Sequence, residues 1–209
     1  MKIAKVFMVM ALFFSAGCVT SDFFLKKAHF DNFYVSSYFP EFYVKDVAFV
    51  PFSSQAGLSR DQLAMINEVF VTELRKRNWY RVQVMDNVQA RDFSRLEKID
   101  AVISGEVINY QEQEPLKLGL QVSMRYLNTG QTAWSASNVF DASSRETVSL
   151  LKKYYREKKY AGSSLWEHKA YLISIKKYAE FCSSVLIDTI KEGWEKELAL
   201  NKNKSGGKR

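Results

Sequence analysis

Few side chains in this 209-residue chain have the type and spacing to do chemistry, and the foremost is the thiol of Cys18. The residues before it read as an export leader. Lys2 and Lys5 give a basic start, Val6 to Phe14 an unbroken apolar core, and Ser15, Ala16 and Gly17 a small-residue exit. That apolar core is too short to remain as a bilayer-spanning helix. Elsewhere the chemistry is sparse. His29 and His168 lie far apart with no partner at ligand spacing, so neither a zinc site nor a histidine-based triad has support. No GxSxG, GxGxxG or phosphate-loop pattern occurs. Glu112 and Glu114 flank a polar turn beside Pro115, where solvated loop carboxylates are the expectation rather than an acid–base pair. No cofactor or metal is called for, and the expectation is a protein that is not an enzyme.

The Ser15-Ala16-Gly17-Cys18 ending resembles the lipobox of bacterial lipoproteins, with Ser15 where the pattern usually carries Leu. The resemblance implies that the leader is removed and that Cys18 becomes an acylated N-terminus. Val19 after the cysteine, rather than Asp, then implies sorting to the outer membrane. An ordinary leader with an incidental cysteine is the alternative. If Cys18 is acylated, Cys182 has no intrachain partner, and its place on an apolar helical stripe suits a small buried hydrophobe.

The formal charge of +7 overstates the body. Of the 30 basic residues, Lys2, Lys5, Lys202, Lys204, Lys208 and Arg209 belong to the leader or a polar tail, and the remaining 24 nearly balance 23 acidic residues. A near-neutral body argues against nucleic acid as a partner, because such binding needs clustered cations. Two basic-aromatic stretches stand out. Arg75 to Arg81 fits a helix end running into a strand. In the second stretch Lys152, Arg156 and Lys159 share one helix face, with Lys153 beside them. That face reads either as a solvated helix side or as a surface for anionic headgroups, lipopolysaccharide phosphates or an acidic protein.

The elements that position these groups follow from periodicity. A leader over 1–17 precedes an aromatic-rich segment over 18–44, which either covers a domain edge or rests its first rings in the membrane interface. Residues 45–200 should form one α/β domain, and 201–209 a disordered basic tail. Asp46 to Phe52 suits a strand buried on both faces, and Ser59 with Gln62 a capping box opening a helix through Leu63, Ile66, Phe70 and Leu74. Tyr80 to Met85 and the run from Asp100 to Tyr110 predict two more strands, with a short helix near 88–97 between them. From Leu116 to Tyr126 apolar and polar residues alternate strictly, a strand with one buried and one wet face. Gly130 closes a turn into Gln131 to Phe140. The result is a mixed five-stranded sheet ending in an antiparallel meander. Helices over 145–160 and from Ser164 onward should cover it.

This order of elements resembles the curli-secretion-lipoprotein-like domain of bacterial envelope lipoproteins. The match rests on DVAFVPF, on Asp100, Gly105 and Tyr110 within IDAVISGEVINYQ, and on Thr129, Gly130 and Trp134 around the hairpin. The match covers about residues 45 to 140; the same fold serves penicillin-binding-protein activator lipoproteins and a large set of uncharacterised outer-membrane lipoproteins, and KKYYREKKY followed by IKKYAEF looks closest to that set. The resemblance implies a binding protein of the cell envelope, an adaptor or accessory subunit held at the outer membrane and open to an envelope protein partner or to homo-oligomerisation. A second implied reading is a subunit of a curli-exporter-like secretion pore, although one ordinary hairpin falls short of the two extended ones such a barrel uses.

Overall fold

Val47, Ala48 and Phe49 are fully buried, as an apolar run at a sheet centre requires. They belong to β2 (Asp46–Phe49), which lies between two parallel neighbours, β4 (Arg81–Val84) and β5 (Ala101–Gln111). The computed structural model describes residues 33–36, 44–85, 98–158 and 167–205. Their strands make one mixed sheet ordered β1-β7-β6-β5-β2-β4, with β1 (Phe33–Val35), β6 (Lys117–Tyr126) and β7 (Thr132–Asp141), while β3 (Ser53–Ser54) pairs with β5.

The sheet therefore has seven strands, not the five expected. One extra strand arises because the run from Asp46 to Phe52 breaks. Pro51 has no N–H to give the ladder, and the Phe52 N–H is taken at 2.8 Å by the Asn67 side chain. The chain rejoins β5 as β3, opposite Glu106 and Val107. The other extra strand, β1, comes from the aromatic-rich segment and pairs antiparallel with β7. The expected meander is present with differences. β5, β6 and β7 pair antiparallel in chain order, but the register shifts between Val107 and Asn109 and again beside Met124. With β1 outside it, β7 is not the sheet's edge.

Four of the residues that carry the family resemblance have a structural task. The Asp100 carboxylate accepts the Lys45 and Asp46 N–H groups at 2.8 and 3.0 Å, fixing the start of β2 beside β5. A Cβ on Gly105 would lie 2.4 Å from the Gln121 carbonyl oxygen, so only glycine lets β6 approach there. Gly130 has φ +67°, which the turn needs. Trp134 is fully buried and donates to the Thr189 hydroxyl at 2.9 Å.

Helices pack on one face. α1 (Arg60–Lys76) opens with the expected capping box: the Ser59 hydroxyl accepts the Gln62 N–H, and the Gln62 side chain accepts the Ser59 N–H. Ile66, Val69, Phe70 and Leu74 are buried along it, and Phe70 joins Phe49 and Phe52 in an aromatic cluster. Asn78 at φ 54° ends the helix in the left-handed conformation. α2 (Arg145–Lys158) buries Leu151, Tyr154 and Tyr155. After a short 3-10 turn (Glu167–Tyr171), α3 (Ile175–Ser205) runs along α1 and the β1–β7 side of the sheet. Its buried stripe includes Ala179, Cys182, Leu186 and Ile190, so Cys182 is the packed thiol expected, and burial pushes its pKa up. Helical backbone continues to Ser205, into the segment expected as a disordered tail. The expected helix near 88–97 and the capping serine Ser164 lie outside the described residues.

Candidate functional site

The opposite face of the sheet carries no described helix, and its side chains are polar in a regular way. Antiparallel register places Tyr34, Ser135 and Ser123 side by side, with Ser104 next in the row. The neighbouring row is Ser137, Gln121, Glu106 and Ser53. Paired residues point to the same face, so the two rows lie together on the wet side of the alternation that begins at Leu116. Val50 and Pro51 wall one side, and the resulting open trough has a volume of about 470 Å³. Glu106 accepts from the Gln55 side chain at 3.0 Å. Among the described residues, no hydrogen bond ties up the side chains of Ser104, Gln121, Ser123, Ser135 or Ser137.

Sequence reasoning passed over this trough, although its signal was present. ISGE, LQVS and WSAS each place two polar side chains two residues apart, on three strands that turn out to be neighbours. No histidine, cysteine or general-base pair accompanies the serines in the lining. Hydroxyls, one amide and one carboxylate can bind a polar ligand there.

The residues singled out in the sequence are elsewhere. Cys18 and Lys159 lie outside the described residues. Lys152 and Arg156 are exposed on α2, whereas Lys153 is half-buried and faces Glu157 at 3.9 Å. The acidic neighbour dilutes the basic face at that point. The other basic stretch is absorbed structurally: Arg75 donates to the Val82 carbonyl, Lys76 pairs with the buried Glu73, and Arg77 reaches Asp188 and the Ser184 hydroxyl, both at 2.7 Å. Glu112 accepts from Gln62 and Tyr110 on the surface. No group of described residues could hold a metal ion, and no described helix is long and apolar enough to cross a membrane.

At the far end of the trough face, Lys117 on β6 stands opposite Asp141 on β7, their charged atoms 2.8 Å apart. The Lys117 ammonium and then the Ser143 hydroxyl and N–H hold the Asp141 carboxyl down, from the ordinary 3.8 to about 2. A carboxyl depressed by folding stabilises the fold above its unfolded pKa and loses that contribution as pH falls through the folded value. The wild-type urea midpoint is therefore expected to fall between about pH 4 and pH 2. Asp141→Asn should start lower at neutral pH and show a shallower fall over that window. An identical slope in the variant would contradict the assignment.

No family model and no curated protein matches the chain. Solved structures that resemble it include the PelC dodecamer from Paraburkholderia phytofirmans, at 17% identity over 50% of this chain and 78% of that one, TM-score 0.40. Lipoprotein GNA1162 from Neisseria meningitidis is similar at 11% identity over 54% of this chain and 96% of that one, TM-score 0.40. The LpoB C-terminal domain from Salmonella enterica is similar at 12% identity over 46% of this chain and 82% of that one, TM-score 0.31. Each likeness is one of element arrangement, at scores too low to bear on activity.

Proposed function

We propose that this protein is a lipid-anchored outer-membrane lipoprotein whose periplasmic body serves, without catalysis, as an adaptor or accessory subunit of a cell-envelope complex. One observation carries the reading: the basic start, the apolar core and the small residues that lead into Cys18, followed by Val19. The use of ionisable groups in the body supports the non-catalytic part. Asp100 holds backbone, Arg77 bridges two helices, and Asp141 closes a hairpin.

The tether is short. Only about 15 residues separate Cys18 from β1, a reach of at most ~50 Å fully extended.

Cys18→Ala tests the anchor. The variant is expected to lose metabolic labelling by an alkyne fatty acid and to leave the outer-membrane fraction. A variant that still pellets with the outer membrane would refute the tether.

A further inference from the structure

We infer that the trough on the open sheet face binds a glycan, a strand of neutral or N-acetylated hexoses laid across β1, β7, β6 and β5. The inference rests on the accessory, binding-type reading above and names the class of ligand for it.

The trough and its rim offer an exposed ring beside rows of polar groups. Tyr34 is 52% exposed at one end of the first row, a large ring open to solvent on a sheet face. Beside it run the hydroxyls of Ser135, Ser123 and Ser104, with the Gln121 amide and the Glu106 carboxylate in the next row. A pyranose presents the matching surface: an apolar face of ring C–H groups for an aromatic side chain, and an equatorial belt of hydroxyls for amides, hydroxyls and carboxylates. From Tyr34 to Ser104 the row spans three strand spacings, about 14 Å, the length of about three linked pyranose rings.

The same chemistry disfavours a peptide. A peptide strand binds a sheet by joining an edge through free backbone N–H and C=O groups, with pockets for alternate side chains. Here the backbone of β6 is paired on both sides, that of β5 is paired beside the trough with β6 and with β2 and β3, and the apolar wall is limited to Val50 and Pro51, because the side chains of Val122 and Ala136 are buried on the other face. A ligand must bring its own dense donors and acceptors. The charge also fits. Among the described residues lining the trough Glu106 is the one ionisable group, so an uncharged or N-acetylated strand meets no repulsion there, whereas a polyanion would meet its carboxylate.

The test uses the full chain in detergent micelles, titrated with chitotetraose and with cellotetraose by isothermal calorimetry and saturation-transfer NMR. At least one tetrasaccharide is expected to bind, with saturation transfer to ring C–H protons. Tyr34→Ala should weaken binding at least tenfold, and Ser123→Trp, which fills the trough, should abolish it. Ile173→Ala, at an exposed position off the sheet, should change nothing. Unfolding midpoints of the variants establish that each is folded. Absence of binding at millimolar tetrasaccharide overturns the proposal. Binding that survives both Tyr34→Ala and Ser123→Trp also overturns it, as does an extended peptide that occupies the trough more tightly than either sugar. Cys18→Ala is expected to bind the same sugar as the wild type, so the ligand and the anchor stand or fall separately.

Discussion

Trp134→Ala is expected to destabilise the protein by about 3–5 kcal/mol, lowering the thermal midpoint by roughly 10 °C. Trp134 is fully buried on β7, beneath α3, and its side chain is among the largest buried in the core. Two effects compete to explain its worth. The indole N–H bond to Thr189 has a net value of about 1 kcal/mol. Thr189 keeps its own bond to the Leu186 carbonyl at 2.7 Å when the indole is gone, so no buried donor is orphaned there. Lost volume should dominate. Trp134→Phe separates the two, because it removes the hydrogen bond while retaining most of the ring, and it should cost about half as much or less. Equal losses in the two variants, read by urea denaturation, would show instead that the hydrogen bond governs.

Gly193→Ala is expected to release β1, although alanine is the better helix former by about 1 kcal/mol. Gly193 lies in α3 where β1 crosses it. An added Cβ would meet both the Val35 Cβ and its Cγ2 at well under van der Waals distance, and the Phe33 ring at 3.2 Å. Overpacking of this kind costs about 1–3 kcal/mol, and the clash involves a side-chain root that cannot rotate away. A strand of three residues is the element able to yield. The Ser36 N–H, which donates to the Ala133 carbonyl at 2.9 Å, should lose at least tenfold in hydrogen-exchange protection, while amides of β5 and β6 keep theirs. If Ser36 remains protected and the midpoint rises, helix propensity has prevailed and the contact is softer than it looks.

Periodicity revealed those parts of the fold whose pattern repeats. The alternation from Leu116 to Tyr126 and the capping box at Ser59 became a strand and a helix start as expected, because each is decided by neighbours in sequence. β1 was hidden because Phe33, Tyr34 and Val35 sit in an aromatic run without a period, and they form a strand by pairing with β7, far along the chain, in the room that Gly193 leaves. β3 was hidden because a two-residue strand has no pattern. The trough lay between these cases. Its serines alternate visibly on three strands, yet only the observed register aligns them into rows and sets Tyr34 beside them. On α2, Lys152 and Arg156 face water as the spacing suggests, but Lys153 is drawn toward Glu157, a pairing that weakens any reading of one continuous cationic face.

The N-terminal peptide of protein purified from envelope fractions decides the central claim most directly. Mass spectrometry is expected to find a chain that begins at Cys18 and carries fatty acyl mass on that residue. A peptide that still begins at Met1, or a Cys18 thiol free to alkylate, would contradict it.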